Sequence, residues 1–144
     1  MSPRGRVEYR LALRIRRQVI DGMIAHARDE APLECCGLLG GQGDLIDEYL
    51  RTRNVRASEV NYEIDPREHL DIMKDLRGRS RTVLGAYHSH PRTAAIPSAT
   101  DVAEAHYERD FLYVIVSLER EPADVRAYRL EGNALIEAQL EEVV

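Results

Sequence analysis

The chain has 144 residues, 44% of them hydrophobic and 31% charged, with a formal net charge of −5. That length supports a single domain with its own core, and that apolar content excludes an intrinsically disordered chain. The acidic balance disfavours a nucleic-acid coat, and no apolar run approaches the ~20 residues that a membrane-spanning helix needs.

In chain order, the first residues, through Arg17, carry scattered arginines and no apolar stretch, so they do not read as a signal peptide. Tyr9–Arg14 alternates apolar and polar and predicts a strand with one buried face. Arg16–Glu30 predicts a helix, with Val19, Ile20, Met23, Ile24 and Ala27 on one apolar face and Pro32 ending it. His26 falls away from that stripe and reads as a surface residue. Cys35 and Cys36 are adjacent, close almost no loop, and predict free thiols in a cytoplasmic protein. Cys36–Gly41 predicts a buried strand, Asp44–Arg53 an alternating one, and Val60–Ile64 a short one.

Asp65-Pro66 is a helix N-cap followed by proline at the first helical position. The helix it opens runs to about Leu76, with Leu70, Met73 and Leu76 facing the core and His69 near the surface. Arg81–His88 predicts a strand, Ser98–Glu108 a helix carrying His106 near its surface, and Phe111–Ser117 the strongest strand. Val125–Leu130 and Ala134–Ala138 form a hairpin around Gly132-Asn133. Strands and helices do not alternate strictly, so the expected class is α+β, a curved mixed β-sheet flanked by helices.

The stretch that carries chemistry is Tyr87-His88-Ser89-His90-Pro91, followed by Ser98-Ala99-Thr100-Asp101. His88 and His90 stand at i and i+2 at a strand end, so both imidazoles face one side and can converge on a divalent metal. Asp101, in the first turn of the next helix, is positioned to add a carboxylate. Two histidines and one aspartate leave a fourth tetrahedral position open, the layout of a catalytic zinc site. The spacing Ser98-x-x-Asp101 is also that of a capping box, in which Ser98 satisfies amide donors and Asp101 complements the helix dipole. The two roles are compatible.

His88-Ser89-His90, then seven residues, Ser98, two residues and Asp101 resembles the zinc motif of the JAMM (MPN-type, Mov34/PAD-1-like) metalloprotease family. Glu34-Cys35-Cys36-Gly37-Leu38-Leu39 is similar to the upstream Glu-x-Cys-Gly context of that family. Asn54, and Tyr62 through Pro66, also look like family positions, so the resemblance spans about residues 11–130 of one domain, 1–144. It implies an MPN/JAB-type, cytidine-deaminase-like fold. It also implies one Zn2+ held by His88, His90 and Asp101, with Glu34 as general base and then acid, and Ser98 donating to the developing oxyanion. Ser89 would support its loop, and Cys36 would be a small core residue.

The compact length resembles prokaryotic members of the family and leaves no room for ubiquitin-gripping insertions. The implied reaction is hydrolysis of the peptide or isopeptide bond after the C-terminal Gly-Gly of a ubiquitin-like or sulfur-carrier β-grasp protein. The alternatives are a non-catalytic scaffold of the same fold and a zinc hydrolase acting on another substrate. Deamination is disfavoured because the Pro-Cys-x-x-Cys ligand pair is missing. The segment Arg92–Ile96, between the histidines and Ser98, is the candidate mobile loop.

Overall fold

The computed structural model describes residues 13–105 and 111–144. Three helices and eight strands follow one another among these residues. They are β1 (Leu13–Arg16), α1 (Arg17–Glu30), β2 (Cys36–Gln42), β3 (Leu45–Thr52), α2 (Pro66–Gly78), β4 (Thr82–His90) and α3 (Ala99–Glu104). Then come β5 (Leu112–Ser117), β6 (Asp124–Glu131), β7 (Ala134–Ala138) and β8 (Leu140–Val143).

All eight strands form one sheet in the order β7-β6-β5-β4-β2-β3-β1-β8. The sheet is mixed: β4 runs parallel to β5, and β1 runs parallel to both β3 and β8, while the remaining neighbours are antiparallel. Strands β7 and β8 stand at opposite ends of this order, yet only Gln139 separates them in the chain. The sheet must therefore curl until one short segment reaches both ends. This is the curved mixed α+β sheet that the sequence predicts.

The elements arise from local chemistry. In α1, Val19, Met23 and Ala27 are buried at helical spacing, and Ile20 and Ile24 pack at their margin. Asp65 caps α2 by accepting from the Arg67 and Glu68 amides, with Pro66 at the first helical position. On β5 every residue is buried, and its two faces serve two clusters. Leu112, Val114 and Val116 join Ile15, Val19, Met23 and Leu39 beneath α1. Tyr113 and Ile115 pack with Ala95 and Tyr128 on the other face. The register His88↔Ile115 puts His88 on this second face and sends Tyr87 toward α1.

Five expectations are corrected, and part of a sixth lies outside the described residues. Val60–Ile64 is a loop with one bridge, Asn54↔Ile64, because side chains take its amides. Ser58 Oγ accepts from the Val60 and Asn61 amides, and Asn54 Oδ1 accepts from that of Glu63. Such local bonds compete with strand pairing. The helix expected over Ser98–Glu108 ends at Glu104, where Ala105 turns extended; residues 106–110, His106 among them, lie outside the described residues. Leu70 and Met73 are exposed, and only Leu76 of α2 is buried, because the helix meets the sheet through its C-terminal end.

His26 is buried rather than at the surface, with its Nδ1 2.7 Å from the Tyr87 hydroxyl. The segment expected to be mobile is anchored: Ala95 is buried, and the carbonyls of Thr93 and Ala95 accept from the hydroxyls of Ser117 and Tyr128. The strand expected at Tyr9–Arg14 is described only from residue 13, where β1 begins. Strand β8, absent from the sequence reading, is defined by its pairing with β1 across the chain.

Candidate metal centre

Strand β4 ends with His88 and His90 on one face, both buried, and α3 begins with Asp101 opposite them. His88 Nε2 and His90 Nε2 lie 3.2 Å apart, and Asp101 Oδ2 stands 3.2 Å from the first and 3.1 Å from the second. The capping box fixes the carboxylate: Ser98 Oγ accepts from the Asp101 amide, and Asp101 Oδ2 accepts from the Ser98 amide at 2.9 Å. The cap uses the Ser98 oxygen as acceptor and does not consume its O–H donor.

The proton inventory decides what this cluster can hold. His90 Nδ1 lies 2.8 Å from the Ala94 carbonyl, which can only accept, so Nδ1 carries the hydrogen. In neutral His90 the Nε2 lone pair then faces His88 Nε2 and Asp101 Oδ2. These electron-rich atoms converge at close range and require positive charge between them, as protons or as a cation. A tetrahedral zinc with bonds of about 2.0–2.1 Å would space its ligand atoms by about 3.3–3.4 Å, near the separations seen. The donor set therefore fits a borderline-soft divalent metal, and the Ala94 carbonyl orients one ligand as such sites require.

The electrostatics agree. Complete burial lowers the basicity of His88. Burial works against protonation of His90 as well, but the Asp101 carboxylate and the Ala94 carbonyl outweigh it and raise its pKa. Burial also disfavours the Asp101 carboxylate, yet the two histidines and the Ser98 amide hold it far below the usual carboxylate range.

Glu34 lies between α1 and β2 and is only 5% exposed. Burial pushes its carboxyl up to about 7; His90 opposes the rise and Asp101 adds to it. Its Oε1 is buried and, among the described residues, has no hydrogen-bond partner. An uncommitted carboxylate titrating near neutrality suits proton transfer. Its main chain is tied down on both sides. The Glu34 amide donates to Ser58 O at 2.8 Å, and its carbonyl accepts from Asn54 Nδ2 at 3.0 Å. Ser89, between the two histidines, holds the next residue: its Oγ accepts from the Cys35 amide and its own amide donates to the Cys35 carbonyl. Cys36 is fully buried against Thr52, as expected of a core residue.

A cavity of about 450 Å³ opens beside Asp101, lined by Arg56, Tyr62, His69, Glu104 and Tyr113 among others. Tyr62 stacks on the His88 ring with centroids 4.2 Å apart and planes 19° from parallel. Sequence reading noted Tyr62 and Asn54 by position only and missed the places of Arg56 and His69. Asn54 left a sequence signal, an amide side chain opening a polar loop, whereas the side of α2 that faces the cavity is set by tertiary packing.

The curled sheet carrying a buried His-x-His pair beside the Asp101 carboxylate defines a class of domain with a three-residue group that could hold a metal ion. A family model described as prokaryotic homologs of the JAB domain matches residues 16–131. The chain is 35% identical over 127 residues to the CysO-cysteine peptidase of Mycobacterium tuberculosis, covering 85% of this chain and 86% of that one. It is 36% identical over 104 residues to the desampylase of Haloferax volcanii, covering 67% of this chain and 74% of that one. Among solved structures, a protein from Desulfitobacterium hafniense superposes with a TM-score of 0.83 at 32% identity, over 91% of this chain and 92% of that chain. A JAB1/MPN domain protein from Archaeoglobus fulgidus shares the fold, with a TM-score of 0.63 at 22% identity, over 92% and 98% of the two chains. The chain belongs to the prokaryotic branch of the JAB (JAMM/MPN) family.

Proposed function

We propose that this chain is a single cytoplasmic domain acting as a zinc-dependent peptidase or isopeptidase. It cleaves the bond after the C-terminal Gly-Gly of a ubiquitin-like or sulfur-carrier β-grasp protein. The observation that carries this reading is the convergence of His88 Nε2, His90 Nε2 and Asp101 Oδ2 within 3.2 Å of one another, together with a buried Glu34 whose Oε1 has no hydrogen-bond partner among the described residues. The relatives named as a CysO-cysteine peptidase and a desampylase support the substrate class.

In this reading His88, His90 and Asp101 hold the metal. A zinc ion held by these three side chains would supply Lewis acidity, which lowers the pKa of water to about 7 and can polarise a carbonyl. Glu34, whose buried Oε1 no hydrogen bond among the described residues holds, takes the proton of the attacking water and returns it to the departing amine. Ser98 donates its O–H to the carbonyl oxygen as negative charge develops there. Tyr62, stacked on His88, covers one face of that ligand and keeps bulk water from it.

The test is elemental analysis of the purified protein together with incubation with β-grasp carriers of its own genome, each extended by one residue after Gly-Gly. Roughly one zinc per chain and release of the added residue, read by mass spectrometry, are expected. Absence of zinc uptake overturns the metal reading; zinc uptake with no carrier cleaved overturns the substrate class.

A further inference from the structure

We infer that Asn54 is a positioning residue for Glu34, an inference that rests on Glu34 being the proton carrier. No hydrogen bond among the described residues holds the Glu34 Oε1 atom, so the placement of its carboxyl is inherited from its backbone. Both backbone groups of Glu34 are bound by the segment that follows β3: the amide by Ser58 O and the carbonyl by Asn54 Nδ2.

Asn54 shapes that segment as well. Its Nδ2 donates to Asn61 O at 3.0 Å besides Glu34 O, and its Oδ1 accepts from the amides of Arg56 and Glu63, each at 3.0 Å. The side chain thus uses two donors and two lone pairs, the full capacity of a primary amide. Aspartate would keep the two acceptor bonds and lose both donor bonds. Alanine would lose all four, and glutamine is longer by a methylene.

The loop so formed also touches the cluster side elsewhere. Tyr62 stacks on His88, and Arg56 pairs with Glu104 of α3 at 3.1 Å. Glu59 pairs with Arg92, two residues past His90, at 3.3 Å. One loop is therefore registered against both halves of the centre, and Asn54 is its side-chain link to the Glu34 backbone, acting beside the Ser58 carbonyl to set where Glu34 stands relative to the His-Asp cluster. Misplacing a reacting group by about 1 Å can lower turnover about 100-fold.

The test uses zinc-loaded wild type, Asn54→Ala, Asn54→Asp, Glu34→Gln and the Asn54→Ala/Glu34→Gln double variant. The substrate is a β-grasp sulfur carrier ending Gly-Gly extended by one cysteine. Asn54→Ala is expected to keep its zinc and its KM and to lose kcat by about 100-fold, and Asn54→Asp at least as much, because a carboxylate oxygen would face and repel the Glu34 and Asn61 carbonyls. The double variant is expected to be no slower than Glu34→Gln alone, because a residue acting through Glu34 has nothing left to position. Backbone hydrogen exchange, which needs no substrate, is expected to quicken at the Glu34 amide in both Asn54 variants while the Ser89 amide stays protected.

Full kcat in Asn54→Ala, an equal further loss in the double variant, or unchanged Glu34 amide protection in both variants overturns the inference. Wild-type turnover by Glu34→Gln instead overturns the reading of Glu34 as proton carrier, and the exchange measurement then judges the link from Asn54 to the Glu34 backbone on its own.

Discussion

The two faces of β4 bury polar rings in opposite states. Toward α1, Tyr87 meets His26 at 2.7 Å, one hydroxyl matched to one ring nitrogen, and the tyrosine lies over Gly37, where a Cβ would come within 2.5 Å of its oxygen. On the other face His88 and His90 meet Asp101, and acceptors outnumber donors. Both faces are buried and both contain histidine. Burial of a polar ring therefore does not mark a site; a surplus of lone pairs aimed at one point does, because only a cation or protons can relieve it.

The largest expected effect tests the deficient face. Glu34→Gln should keep the metal and lower turnover by about 10²–10⁴-fold, read by steady-state kinetics on a cleaved carrier. The same change should stabilise the metal-free protein above pH 7. The folded-state carboxyl titrates at about 7 against an ordinary 4.5, so burying the ionised form destabilises the native state as pH rises between those values. Equal urea midpoints for wild type and Glu34→Gln at pH 8 would contradict this.

The cluster's need for positive charge predicts the next effect. Zinc at 1,000 times its dissociation constant should raise stability by about 4 kcal/mol, and His88→Ala should abolish that gain. Calorimetric melts with zinc and with chelator measure it.

The satisfied face predicts acid sensitivity. Burial, with a smaller contribution from Arg51, lowers His26 from 6.5 to about 4, so the unfolded chain takes the proton first. Stability should fall as pH drops below 6.5 and level off near 4, by about 3 kcal/mol for this residue. His26→Gln should remove that component of the pH dependence, seen as a flatter difference in urea midpoints between pH 7 and 4. The smallest effect lies on α2, where the exposed Leu70 and Met73 should each tolerate alanine within about 0.5 kcal/mol in thermal melts.

The chemistry of the centre was readable because it is written locally. His-x-His at a strand end needs only the two-residue period of a strand, and Ser98-x-x-Asp101 needs only one helical turn; the protein has both. The helix of α1 was readable from its apolar spacing, and that of α2 from Asp65-Pro66. Where local bonds outvoted pattern, as at Val60–Ile64, the apolar alternation misled, because Ser58 and Asn54 side chains take the amides that a strand would have used.

Periodicity and spacing within one or two elements thus carry the α+β class, the extents of most elements and the facing of His88 and His90, while the parts read for Asp101 and Glu34 rest on the resemblance to the family motif. Tertiary structure alone decided four things. It buried His26 beneath Tyr87, and it left Leu70 and Met73 in solvent. It brought β8 beside β1, and it tied the backbone of Glu34 to Asn54 and Ser58. Each of these depends on which distant surface the folding sheet brings alongside, a relation between elements that no local pattern encodes.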